Sequence, residues 1–448
     1  MKQCPRYLAI DILCQWQQAE QSIDALLESR LRVLAELRDR NLLKALVFGV
    51  LRQRGSLDCL LGRLSSTPLQ RLKPAILEAL RVGAYQILYL DRVPMAAAIH
   101  ATVEAVKEMG QPRWLSGFVN GVLRNLGRRR QEFLNEIREE RAPAAARLNH
   151  PDWLLKRWRT RYGVAGMEAI CQSNSRVSRL CLRVNTAIIA VVDFLCALAA
   201  KGILAEAGAL APEAVWLLEG VAIADLPGYG EGWFFVQDEI AQVIGGLILP
   251  CPKGDYLDGC AGVGGKTAVL ASFAPDGVTI VAVEPERHRQ RLFHENMTRL
   301  RRPDVALFCG SLGEYAAGSG RSDFAAVLID APCSGLGVTG RHPDIRWQRQ
   351  EADLLGFQAK QLALLQEAAP LVAEGGVLVY ASCSTEPEEN EVVIDLFLEK
   401  FPQFVLENAA GSLPPAAQHL VDAVGFLRTV PGSPGSDGFF AARMLRIC

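Results

Sequence analysis

The sequence predicts a multidomain chain: an all-helical front, a small α+β connector, and an α/β back built on a doubly wound parallel sheet. Three observations carry this expectation. From residue 6 to about 140, apolar residues recur at helical spacing. Between about 180 and 235, short strand candidates alternate with a helix. After 235, a strand, loop, helix rhythm sets in and persists. A chain of 448 residues is also too long for one ordinary core. The expected domains are 1–145, 146–235 and 236–448.

In the front, Ile10, Leu13 and Cys14 begin one apolar stripe, and Leu42, Leu43, Leu46, Val47 and Val50 form a second. Leu77, Leu80, Ala84, Ile87 and Leu88 make a third; Phe118, Val119, Val122, Leu123 and Leu126 make a fourth. Expected breaks fall at Gly55, at Ser65-Ser66-Thr67-Pro68, at Val93-Pro94 and at Gly110-Gln111-Pro112. Arg124 and Arg128-Arg129-Arg130 close the last helix, where they suit either the helix dipole or a polyanion.

Ala142-Pro143-Ala144-Ala145-Ala146 reads as a hinge. His150-Pro151-Asp152-Trp153 then opens a basic, aromatic segment with Lys156, Arg157, Trp158, Arg159 and Arg161. Its tryptophans are expected in a core and some of its arginines against a partner. The connector's elements are Leu180–Asn185 (extended), Val191–Ala200 (helical) and Ala214–Leu218 (extended).

In the back, Asp255–Asp258, Thr279–Glu284, Val305–Phe308, Ala326–Ile329 and Val377–Tyr380 are apolar runs of strand length. Asp437–Ala442 reads as a reversed edge strand of the same sheet.

Composition narrows the function classes. No apolar run approaches the roughly 20 residues of a membrane span, and the N-terminal stretch leads into a charged helical pattern rather than a signal-peptide core. Twelve cysteines lie scattered without metal-ligand spacing, so no metal and a reduced, cytoplasmic setting are expected. The net charge of −1 hides an asymmetry: residues 1–163 hold 27 Lys/Arg against 16 Asp/Glu (+11), and the remainder 21 against 33 (−12). A basic front suits a polyanion partner as well as solvated helix faces.

Two cysteines stand apart. Cys333, in Asp330-Ala331-Pro332-Cys333-Ser334-Gly335, and Cys383, in Tyr380-Ala381-Ser382-Cys383-Ser384-Thr385, each follow an apolar strand. Both would reach the carboxyl edge of one open sheet, where such sheets bind ligands. A thiolate there is a strong nucleophile, and a second beside it can assist release. The other ten cysteines are expected to be inert packing residues, with Cys181, Cys196 and Cys309 inside apolar runs.

Three ligand patterns are open to the glycine-rich loop Gly259–Thr267. A P-loop needs Gly where Cys260 stands, and a dinucleotide fingerprint needs Gly or Ala where Thr267 stands. A third pattern, the first loop of an S-adenosylmethionine site, asks for a small-residue loop and an acid ending the next strand. Glu284, 22 residues after Gly262, meets it.

Here the chain resembles the RNA 5-methylcytosine methyltransferases. The resemblance rests on Cys260–Thr267, Asp330–Ser334, Ala381–Ser384, Arg341-His342-Pro343-Asp344-Ile345-Arg346-Trp347 and Glu386–Glu391, with Arg183–Thr186 and Val236-Gln237-Asp238. The front, through Ala98–Glu104 and Gly117–Arg124, is similar to the antitermination factor NusB. The resemblance implies a NusB-like RNA-binding front, a connector, and a Rossmann-like class I methyltransferase domain with a seven-stranded sheet, using S-adenosylmethionine. It further implies small-subunit ribosomal RNA as partner and a monomer.

By the same resemblance, Cys383 attacks carbon 6 of cytosine and Cys333 promotes release. Asp330 contacts the base near nitrogen 3 or the amino group, and Lys266 holds the methionine carboxylate or orients the cytosine. The implied cofactor contacts are Cys260, Ala261, Gly262, Val263, Gly264, Gly265, Lys266, Glu284, Ser311 and Asp330. Two positions depart from the family pattern: Gly262-Val263 replaces Ala-Pro, and Ser311 stands where an acid usually contacts adenine. The rival readings are the same chemistry on transfer RNA, and a non-catalytic RNA-binding assembly factor.

Overall fold

A computed structural model describes residues 4–18, 22–138, 143–250, 253–302, 304–432 and 437–447. The chain divides into two compact units. One is 1–176 with 342–348; the other is 177–341 with 349–448.

The first unit is helical: α1 (Pro5–Gln18), α2 (Ile23–Leu31), α3 (Leu37–Leu64), α4 (Pro74–Tyr89), α5 (Met95–Glu108), α6 (Arg113–Arg128), α7 (Arg130–Arg138), α8 (Ala144–Leu148) and α9 (Asp152–Ser175). The four apolar stripes meet in one core, with Ile10, Leu43, Leu46, Leu80 and Leu123 among its fully buried members. Burying these stripes against each other, rather than helix propensity alone, holds such short helices in water.

Gly55 is not a break. It lies inside the 28-residue α3, where a Cβ would come within 2.6 Å of the Ala145 carbonyl. The glycine lets α8 approach, and Ser56 N and Oγ both donate to Asn149 Oδ1, at 2.9 and 3.0 Å. The expected hinge is likewise helical from Ala144 onward, while Ala142 lies outside the described residues. On α9, Trp158 is fully buried and Trp153 half-buried, while Lys156 and Arg159 are exposed.

The segment 342–348 also belongs to this unit, through the short helix α15 (Ile345–Gln348). Trp347 Nε1 donates to Leu51 O at 2.7 Å. The buried Arg346 guanidinium donates to Asn149 O at 3.3 Å and Asn174 O at 2.9 Å.

The second unit begins with an antiparallel sheet of β1 (Leu180–Val184), β2 (Ala205–Ala207), β3 (Ala214–Leu217) and β4 (Phe234–Val236), in the order β2-β3-β1-β4. Helix α10 (Val191–Ala200) packs Phe194 and Leu198 onto it.

The larger sheet carries β5 (Tyr256–Asp258), β6 (Ile280–Val283), β7 (Val305–Phe308), β8 (Phe324–Asp330), β9 (Val372–Ser382), β10 (Phe404–Glu407) and β12 (Phe440–Arg446). They run in the order β10-β12-β9-β8-β5-β6-β7, and the two-residue β11 (Leu427–Arg428) pairs with β12. Strands β5 to β9 are mutually parallel, and β12 is reversed. The reversed strand is not at the edge as expected, because β10 pairs outside it.

Alternate residues of the central strands feed two cores. Leu257, Val327, Ile329 and Leu378 face one side, and Tyr256, Ala326, Leu328 and Val379 the other. Helices α11 (Glu239–Gly245) and α12 (Gly265–Phe273) cover the second side. Helices α14 (Leu312–Ser319), α16 (Asp353–Ala368) and α17 (Glu391–Lys400) cover the first. The remaining helix, α13 (Arg287–Arg299), follows β6 and buries Phe293 and Met297. A sheet covered on both faces explains the continuous apolar runs of its strands.

Among the described residues, no helix is long and apolar enough to cross a membrane, and no group of three or more potential metal ligands occurs. Cys171 and Cys181 are buried, but Cys196 and Cys309 are exposed, against expectation. Cys196 lies on the outer side of α10, and Cys309 just past β7.

Candidate active site

Five parallel strands deliver their carboxyl ends to one edge of the large sheet. After β5 comes the glycine loop. Gly262 and Gly264 take left-handed conformations (φ 57° and 92°), and α12 begins at Gly265. A Cβ on Gly264 would meet Met297 Cε at 2.5 Å, whereas around Gly262 nothing lies within 4 Å. The first position needs glycine for packing, and the second leaves the backbone open to an approaching ligand.

Asp258, at the end of β5, anchors the loop. Its carboxylate accepts Thr267 Oγ1 at 2.6 Å and the Cys260 N–H at 3.3 Å, and burial pushes its pKa up to about 6. Burial also drives the Cys260 thiol well above its ordinary value. Ala261 N donates to Val283 O at 3.0 Å, which stitches the loop to β6.

Glu284 follows β6 and is buried, with one carboxylate oxygen accepting the Glu286 N–H at 2.8 Å. Ser311 follows β7 and is exposed. Its hydroxyl accepts Glu314 N at 3.3 Å and lies 2.9 Å from Glu314 Oε2, which also accepts the Ser311 N–H at 2.7 Å. Ser311 therefore caps α14 in a reciprocal box.

Asp330 ends β8, and its Oδ2 lies 2.6 Å from Lys266 Nζ on the first turn of α12. Burial works to lower the Lys266 pKa, but the Asp330 carboxylate outweighs it and the net shift is upward. The Lys266 ammonium also stands 6.0 Å from the centre of the Phe439 ring.

Cys333 and Cys383 follow β8 and β9. Their sulfurs are 2.9 Å apart and both thiols are free; Cys383 N also donates to Cys333 Sγ at 3.3 Å. The Cys333 pKa is raised well above its ordinary value, first by the hydrogen bond with Cys383, then by burial and neighbouring charge. The structure thus gathers Lys266, Asp330, Cys333 and Cys383 at one edge, with the glycine loop and Glu284 at the ends of the neighbouring strands.

Comparison with known proteins decides the family. The model described as 16S rRNA methyltransferase RsmB/F matches residues 247–445, the NusB family model 3–128, and an RsmF/B-like ferredoxin-like domain 150–224. The ribosomal RNA small subunit methyltransferase B of Serratia proteamaculans (strain 568) is 34% identical, over 95% of each chain. That of Salmonella arizonae is 33% identical, over 98% of each. The chain belongs to the ribosomal RNA small subunit methyltransferase B family.

A solved methyltransferase homolog protein from Pyrococcus horikoshii is also similar. It is 27% identical with a TM-score of 0.57, covering 67% of this chain and 97% of its own. As a member of the methyltransferase B family the chain is an enzyme, and the expected architecture holds: a NusB-like helical front, a small α+β connector and a Rossmann-like methyltransferase sheet. The connector is of the ferredoxin-like kind.

In the sequence Glu389 is one member of the Glu386–Glu391 motif, with nothing to mark a role of its own. Its side chain joins the loops of both cysteines through Ser334 and Ser384. Five intervening residues separate Cys383 from Glu389, and no spacing rule announces a contact that forms only when two strand ends meet.

Proposed function

We propose that this enzyme transfers a methyl group from S-adenosylmethionine to carbon 5 of a cytosine in small-subunit ribosomal RNA. The observation that carries this reading is the contact between two free thiols beside an ammonium–carboxylate pair. The named substrate of the relatives supports ribosomal RNA.

The residues present fit the cofactor. The open backbone at Gly262 and the positive end of α12 suit a charged, close-packed ligand, and the buried Glu284 suits ribose hydroxyls. Cys260, Ala261, Gly262, Val263, Gly264 and Gly265 would form the cradle, with Glu284, Ser311, Lys266 and Asp330 around it. When bound, S-adenosylmethionine supplies an electrophilic methyl group.

Carbon 5 of cytosine is too weak a nucleophile to take that methyl unaided. The Cys383 thiolate adds to carbon 6, and the electron pair of the 5,6 double bond moves to carbon 5, which becomes enamine-like. After transfer, the carbon 5 proton passes to a base and its bonding pair re-forms the double bond. The carbon–sulfur pair then returns to Cys383, with help from Cys333. Asp330 meets the polar edge of the ring as charge builds there, and Lys266 beside it either orients the cytosine or holds the methionine carboxylate. The cytosine must leave its stack to reach the thiols, so an unpaired or opened RNA site is required.

Bisulfite sequencing of ribosomal and transfer RNA from cells with and without the protein tests this directly. One cytosine of the small-subunit RNA should resist conversion only when the protein is present. A protected site confined to transfer RNA would favour the rival substrate.

A further inference from the structure

Glu389 is fully buried on the turn between β9 and α17. One carboxylate oxygen accepts the Ser334 N–H at 2.7 Å and Gln361 Nε2 at 3.1 Å. The other accepts the Ser334 and Ser384 hydroxyls, each at 2.5 Å. These serines directly follow Cys333 and Cys383. Gln361 Nε2 also donates to Pro332 O at 3.1 Å, so both neighbours of Cys333 are held. Asn390 does the same for Cys383, accepting Ser382 Oγ at 2.6 Å and donating to Ser384 O at 3.0 Å. A buried carboxylate is costly unless its lone pairs are used, and four donors use these.

We propose that Glu389 is the positioning residue of the Cys333–Cys383 pair: it locks the two loops so that the sulfurs stay in contact, and its charge beside Cys333, with the Lys266 ammonium near Cys383, holds the shared proton on Cys333. This rests on the proposed chemistry only for its use, since the proton placement belongs to the protein alone. The charges act in that sense. The Glu389 carboxylate raises Cys333 too, after the Cys383 hydrogen bond, burial and the Cys383 charge; burial raises Glu389 as well, and its four donors work to keep it ionised. The Cys383 sulfur is among those that raise Lys266, after Asp330. Cys383 is then the acceptor of the pair's hydrogen bond and keeps a lone pair for attack. Cys333 meets the departing sulfur as a donor, and the carbon 5 proton passes to a different base.

The full chain, without RNA or cofactor, tests both halves. In iodoacetamide alkylation followed peptide by peptide between pH 6 and 9, Cys383 should react at least about tenfold faster than Cys333 near neutrality. Glu389→Gln should shrink that preference to about threefold or less, mainly by speeding Cys333. An unchanged preference in folded Glu389→Gln overturns the charge assignment. If Glu389→Gln does not fold, Ser334→Ala and Ser384→Ala, which keep the charge, carry the test of the tether. Each should retain the alkylation preference yet slow diamide-driven disulfide formation between the two cysteines by about tenfold. Parental oxidation rates in both overturn the tether. None of these readouts depends on methyl transfer, so they stand apart from any failure of the proposed reaction.

Discussion

The Lys266 ammonium lies 2.6 Å from the Asp330 carboxylate, tying the first turn of α12 to the end of β8 across 64 positions of sequence. Lys266→Met leaves that carboxylate without its cation in a half-buried cleft. Methyl transfer should fall by on the order of 100-fold, the loss typical of one electrostatic partner in a reacting site. Calorimetry with S-adenosylmethionine then separates the two roles. Weakened binding assigns Lys266 to the methionine carboxylate, and unchanged binding with slow transfer assigns it to the cytosine.

The thiols should part ways on mutation. Cys383→Ala should abolish transfer, since it removes the thiol that adds to carbon 6. Cys333→Ala should accumulate a protein–RNA adduct that survives a denaturing gel. Turnover by Cys383→Ala together with normal release by Cys333→Ala would overturn both role assignments.

Ser311 allows a gain-of-binding experiment. Asp caps helices about as well as Ser, so Ser311→Asp should keep α14 capped and leave the melting temperature unchanged. It also places an acid where the resemblance implies an adenine contact. Affinity for S-adenosylmethionine should rise severalfold by calorimetry, about 1 kcal/mol. Equal or weaker binding would show that the loop after β7 does not reach the adenine.

Asp258 sets a pH dependence. Its pKa rises from 3.8 to about 6 on folding, chiefly through burial, so the folded chain holds a proton across that window that the unfolded chain has lost. Stability from this group is greatest below about pH 4 and is lost as pH climbs through 6. Asp258→Asn cannot titrate. Its stability relative to the parent should improve between pH 4 and 7, by up to about 3 kcal/mol in urea unfolding. A flat difference across that range would remove Asp258 as the titrating group.

What the sequence disclosed follows a physical divide. The runs Ala326–Ile329 and Val377–Tyr380 announced strands because a sheet covered on both faces needs unbroken apolar stretches. The position of Cys333 and Cys383 after such runs was enough to bring both to one edge. Gly55 misled because a glycine in an exposed helix does weaken it, while here the close approach of α8 requires one. Glu389 and Arg346 stayed silent for a related reason. Arg346 meets backbone carbonyls of distant segments, and Glu389 joins the nearby Ser384 to the distant Ser334 and Gln361, of which only the serines lie in motifs already singled out.

The helical unit is written in the gene in two pieces, 1–176 and 342–348. A fragment that ends at 176 would carry the Asn149 and Asn174 carbonyls without the Arg346 guanidinium, and the Leu51 carbonyl without Trp347. The front is therefore not a module that a single splice can transplant. Any chimera that swaps the front must carry the seven residues 342–348 with it.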